Sequence, residues 1–144
     1  MGVTDTGKLL RECDSGAKMA ISSIDEVLQK VQDENLRNIL SSSKTEHTDL
    51  ENQIHTLLSQ QGTQDKQPNP VAKSMSWMKT NVKLGMDASD ETVAELITDG
   101  CNMGVKSLHR YLNEFSGANG EAKGICSRLI TAEQQLANDM SAYL

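Results

Sequence analysis

Two side chains that can bind metal or move protons stand where the sequence otherwise reads as apolar. His47 falls in a stripe with Leu36, Leu40, Ser43, Leu50, Ile54 and Leu57, at alternating steps of three and four. Glu133 falls in another, with Ala122, Cys126, Leu129, Leu136, Met140 and Tyr143. An imidazole or a carboxylate turned into such a stripe can ligate a metal or hydrogen-bond a partner. Left alone it is costly, because burial penalises an unpaired charge by several kcal/mol. A second arrangement is His47, Glu51 and His55, spaced i, i+4, i+8 along one strip. His-x-x-x-His spacing suits zinc, but Glu51 and His55 lie off the apolar seam, so the strip is read as a solvated face. Asp99 to Gly104, DGCNMG, hints at a phosphate loop. It lies inside a strongly periodic segment and lacks the Lys-Ser/Thr ending, so it is discounted. No nucleophile triad and no paired-carboxylate dyad is apparent, so the chain is read as no enzyme. Cys13, Cys101 and Cys126 are odd in number and lack zinc-type spacing. They read as buried thiols of a reducing, cytoplasmic compartment.

The elements that must position these residues are helices. Aromatics make up 3% of the 144 residues, so the core has to come from Leu, Ile, Val, Met and Ala. The two prolines, Pro68 and Pro70, both lie mid-chain and leave long uninterrupted runs on either side. A net charge of -6 argues against a nucleic-acid partner, which needs clustered Lys and Arg. No apolar run reaches the roughly 20 residues that span a bilayer, and no signal peptide is visible.

Four helices are expected in one domain covering 1–144. The first runs from about Thr6 to Gln32, capped by Thr4 or Thr6, with the seam Leu9, Cys13, Ala17, Ala20, Ile24, Val27 and Val31. The second runs from about Glu34 to Gln60 and ends at Gly62 in the manner of a C-cap. The third is capped by Asp87 or Ser89 and reaches about Phe115, with the seam Ala94, Ile97, Cys101, Val105, Leu108, Leu112 and Phe115. Gly100 and Gly104 within it would let another backbone approach. The fourth runs from Glu121 to Leu144. Residues 61–88 differ from the rest. A polar loop leads into Val71 to Met86, which carries Lys73, Met75, Trp77, Met78, Lys79, Val82 and Lys83 with no acid among them. That composition reads as a short amphipathic helix, able to cap the bundle or to meet a partner.

The two halves repeat each other. Cys13, Gly16, Lys18 and Glu26 lie over Cys101, Gly104, Lys106 and Glu114, and Ile39, Ser41, Thr45, Leu50, Asn52 and Leu58 lie over Ile125, Ser127, Thr131, Leu136, Asn138 and Leu144. One helical hairpin, about 6–60, is thus written again at about 89–144, across an unrepeated crossover at 61–88. In this pattern the chain resembles the ferritin-like superfamily, and in particular small bacterial ferritin-like domains with an amphipathic crossover. The resemblance implies an all-α four-helix bundle of two antiparallel hairpins. It also implies where a di-iron centre would sit: a Glu from the first and third helices, and Glu-x-x-His from the second and fourth, pointing inward. On the fourth helix the inward pair is Glu133 and Leu136, so the His is replaced. On the second it is His47 and Leu50, and neither matches. The first helix offers Ala17 and Ala20 at that height and the third offers Val105 and Leu108. The iron motif is degenerate, and no cofactor is expected.

The duplication puts His47 and Glu133 at one level. They are expected to form a polar core cluster with each other, or with Lys18 and Lys106, that fixes helix register. The expected function is a non-enzymatic structural or interaction bundle, self-associating or bound to another protein. The alternative is a metal-binding or iron-handling protein with a reduced site at Glu133 and His47. A membrane-surface role through Lys73 to Lys83 is the lesser reading.

Overall fold

The computed structural model describes residues 4–62 and 89–144. Four helices account for nearly all of them: α1 (Asp5–Leu28), α2 (Glu34–Gln60), α3 (Asp90–Glu114) and α4 (Gly120–Met140), followed by one 3-10 turn at Ser141–Tyr143. Among the described residues there is no strand, and no helix is long and apolar enough to cross a membrane. The amphipathic segment from Lys73 to Lys83, with Trp77, lies outside the described residues.

Each helix begins on a side chain that accepts an otherwise unmatched backbone N–H. Thr4 Oγ1 takes Gly7 N at 3.1 Å, Asp33 Oδ2 takes Leu36 N at 2.8 Å, Ser89 Oγ takes Thr92 N at 3.1 Å and Asn119 Oδ1 takes Ala122 N at 2.9 Å. At the far end of α2, Gly62 adopts φ +68°, the left-handed conformation that closes a helix and that glycine reaches without strain. The first helix is shorter than its periodicity suggests. It stops at Leu28, although Val31 is still buried. Beyond it the backbone finds other partners. Gln32 N and Asp33 N both donate to the Asp90 carboxylate, at 2.9 Å each, and Arg37 donates to Val31 O. The fourth helix likewise ends at Met140 and tightens to a 3-10 turn, short of Leu144.

The stripes become the core. The six seam residues within α1 are buried, as is Val31 just beyond its end. On α2 the last buried position is Leu58, with Leu57 only partly covered, because the 3.6-residue helix drifts from a strict heptad. On α3, Val105, Leu112 and Phe115 are partly buried. The packed stripe is also wider than one seam, taking in Leu10, Val93, Leu96, Ile125, Ile130 and Ala132, since each helix meets more than one neighbour. The largest contacts are α1 with α2 and α3 with α4. Smaller ones join α2 to α4, α1 to α3 and α1 to α4. The ends are clasped by side chains. Asp90, in the first turn of α3, holds the turn after α1. Asp5 Oδ2 and Thr6 Oγ1, in the first turn of α1, accept from Gly117 N at 3.0 Å and Asn119 N at 2.8 Å in the turn before α4.

Candidate functional site

The apolar interior falls into two parts. One gathers Ala20 to Val31 of the first segment, Leu36 and Leu40 of α2, Val93 to Cys101 of α3, and Leu136 and Met140 of α4. The other gathers Leu9 to Ala17, Leu50 to Leu58, Leu108, and Ala122 to Ala132. The boundary between them passes through Ser43 to His47 on α2, Gly104 on α3 and Glu133 on α4. A polar layer therefore crosses the middle of the bundle.

His47 and Glu133 are the ionisable members of that layer. They are 0% and 2% exposed, and His47 Nε2 lies 4.0 Å from Glu133 Oε1. The imidazole is fixed from its other nitrogen. Nδ1 lies 2.8 Å from Ser43 O and 3.3 Å from Ser43 Oγ, so Nδ1–H donates to the carbonyl one turn back and Nε2 is left as a bare acceptor. Burial draws the His47 pKa below its ordinary value, opposed by the Ser43 carbonyl and Glu46. Burial pushes the Glu133 carboxyl up to about 8, with Cys126 adding to the rise. Both groups are neutral near pH 7: a carboxylic acid faces an imidazole across a gap too long for a direct hydrogen bond. Among the described residues, His47 Nε2 and Glu133 Oε2 have no hydrogen-bond partner.

The third helix accommodates this carboxyl with a glycine. A Cβ on Gly104 would lie 2.3 Å from Glu133 Oε2 and 2.8 Å from its Cδ. The residue α3 turns toward Glu133 is thus Gly104, not Val105, and the glycine admits a carboxyl rather than a backbone. All three thiols lie near enough to the layer to interact with Glu133. Cys101 is held well above the ordinary thiol range, first by burial and then by Glu133. Cys13 is also held high, by its hydrogen bond to Cys126 and then by burial. All three cysteines are free and buried. Cys126 shifts the other way, its pKa lowered by the hydrogen bond from Cys13 against the opposing effect of burial. Cys13 and Cys101 are held away from the thiolate that nucleophilic or metal-binding cysteines need.

The two lysines expected beside this pair are elsewhere. Lys106 is exposed. Lys18 Nζ sits 2.9 Å from Asp14 Oδ2, one turn back on its own helix. The polar layer is a two-residue pair.

The seam pattern does not single out Asp14, yet it is fully buried on α1. Its Oδ1 lies 2.8 Å from His55 Nε2 of α2. Glu51, one turn before His55, joins them, and one ligand atom from each of the three residues falls within 4.8 Å of the others. The strip on α2 that reads as solvated is therefore half-buried against α1. Its focus is Glu51 and His55; His47 turns to Glu133 instead. The available signal was the pair of i, i+4 spacings, Asp14 with Lys18 and Glu51 with His55, on helices that must pack together.

No protein-family model, curated protein or solved structure matches the chain.

Proposed function

We propose that the chain is a non-enzymatic bundle of ferritin-like topology, serving as a structural or protein-interaction domain whose di-iron centre has been lost. The observation that carries this is the content of the mid-bundle layer. The inward positions there hold one imidazole and one protonated carboxyl, while α1 offers Ala17 and Ala20 and α3 offers Cys101, Gly104 and Leu108. A dinuclear iron centre wants several carboxylates with imidazoles. Two neutral side chains with one imidazole nitrogen already committed to Ser43 cannot supply that set.

The clasps at the ends support the topology. Asp90 ties the start of α3 to the end of α1, and Asp5 and Thr6 tie the start of α1 to the end of α3. On this reading α1 and α3 are antiparallel, α2 and α3 run the same way, and the chain leaves α2 at one end of the bundle and enters α3 at the other. That is the hairpin, crossover, hairpin order. The clasps are also reciprocal, as two copies of one ancestral hairpin would make them. The buried free thiols fit a reducing cytoplasm.

Iron analysis, Fe(II) oxidation and solution mass test the reading together. The chain should hold no two-iron centre, should oxidise Fe(II) no faster than buffer, and should form a defined oligomer or partner complex. Two irons per chain, lost on Glu133→Leu, would restore the iron-handling alternative at Glu133 and His47.

A further inference from the structure

We propose that Asp14, Glu51 and His55 form a mononuclear divalent-metal site of the zinc class that pins α1 to α2. It lies apart from the His47–Glu133 layer and does not depend on the function proposed above. Glu51 and His55 are one turn apart, so both project from the same side of α2, and Asp14 meets them from α1. Two carboxylates and one imidazole are a suitable donor set for a borderline dication, with a fourth position for water.

The ligand atoms already converge to within 4.8 Å. A tetrahedral ion with bonds of about 2.0–2.2 Å needs its ligands roughly 3.4 Å apart. Binding would therefore draw the more distant ligand atoms together by side-chain rotation and open the Asp14–His55 contact slightly from 2.8 Å.

The second observation is the state of Asp14. Its carboxylate is wholly buried, with Lys18 Nζ 2.9 Å from Oδ2 and His55 Nε2 2.8 Å from Oδ1, yet neither oxygen accepts a hydrogen bond of acceptable geometry. A wholly buried carboxylate held by close nitrogens but without a well-formed hydrogen bond is incompletely compensated. A dication on the Oδ1 side would complete it, while Lys18 stays on Oδ2 and orients the group from behind. His55 keeps 39% of its side chain exposed while its Nε2 and the Asp14 oxygens are buried, so an ion would enter by a swing of the His55 ring. Lys18 has a further consequence. Its positive charge beside the site weakens cation binding, so it should limit affinity and not support it.

The test is titration of the full chain, stripped with chelator, with Co2+ followed by its visible absorption, and with Zn2+ in competition. One equivalent of Co2+ should bind with the intense bands of a tetrahedral or five-coordinate ion, and Zn2+ should displace it. Asp14→Asn and His55→Gln should each weaken binding at least tenfold, and Lys18→Met should strengthen it. His55 is partly exposed, so His55→Gln keeps the test valid if Asp14→Asn fails to fold. Absence of saturable Co2+ and Zn2+ binding, or binding unchanged in His55→Gln, overturns the site. Binding that survives His55→Gln but is lost on His47→Leu would move the metal to the core, overturning both this site and the metal-free reading of the layer.

Discussion

Replacing Glu133 by Gln should make the protein more stable at pH 8 while leaving it nearly unchanged at pH 5. The carboxyl is 2% exposed, and burial raises its pKa from 4.5 to about 8. Between those values the folded chain holds a proton at this residue that the unfolded chain has released. Stability therefore falls as pH rises, by about 1.4 kcal/mol per pH unit, and on the order of 5 kcal/mol is lost across the whole window. Below pH 4.5 both states are protonated and the slope vanishes; above about 8 both are ionised and it vanishes again. The amide of Glu133→Gln has nearly the same shape and no proton to lose. His47 contributes with the opposite sign. Its folded pKa lies below 6.5, so its share of stability is present above that value and is lost as pH falls through the folded one. The imidazole is common to both proteins, so subtracting the two curves removes it. Urea denaturation followed by far-UV circular dichroism at pH 5, 6, 7 and 8 measures the difference. A gap that widens with pH, in favour of Glu133→Gln, is the expected result. Parallel curves across that range would show that Glu133 is ionised in the folded state, and would remove the neutral acid–imidazole pair on which the reading of the layer rests.

Replacing both His47 and Glu133 by Leu should preserve or raise the thermal midpoint, because replacing both members of a buried neutral polar pair by apolar side chains can be nearly neutral or stabilising; thermal circular dichroism decides, and a large fall would assign the pair a packing role that Leu cannot fill. Asp90→Ala should cost about 1 kcal/mol in urea denaturation, since it strips the Gln32 and Asp33 N–H groups of their acceptor.

Much of the architecture was legible because amphipathic helices announce themselves. The bounds of α2, Glu34–Gln60, and the whole seam of α1 follow from apolar spacing. The position of His47 and Glu133 on two such seams likewise placed them in the interior. What periodicity cannot carry is the relation between helices. Asp14 sits beside Cys13 on the flank facing α2, and its burial makes sense only once His55 is seen opposite. From one helix alone it reads as a polar residue on a polar edge. The same blindness assigned Lys18 and Lys106 to the His47–Glu133 level. Long side chains reach the nearest opposite charge, and for Lys18 that charge was an Asp one turn away. The early end of α1 was hidden for a related reason: the acceptor that draws Gln32 and Asp33 out of the helix belongs to α3.

Gly104 offers the sharpest check on how the layer is built, because the same substitution should change sign with its neighbour. Alanine is ordinarily favoured over glycine inside a helix by about 1 kcal/mol. Here the new methyl would stand 2.3 Å from Glu133 Oε2 and 2.8 Å from Oε1 and Cδ, so the carboxyl has to move. Its end is flexible, but it is enclosed with His47 on one side and the apolar clusters above and below. Gly104→Ala alone should therefore destabilise, at about the 1–3 kcal/mol typical of overpacking. In a Glu133→Ala background the obstacle is gone and a space is left. Gly104→Ala should then stabilise by about 1 kcal/mol through helix propensity, and more if it fills part of that space. A double-mutant cycle by urea denaturation measures the coupling, expected at about 2–4 kcal/mol from these two costs. An equal effect of Gly104→Ala in both backgrounds would mean that Glu133 does not rest against α3. The glycine would then have some purpose other than admitting a carboxyl to the centre of the bundle.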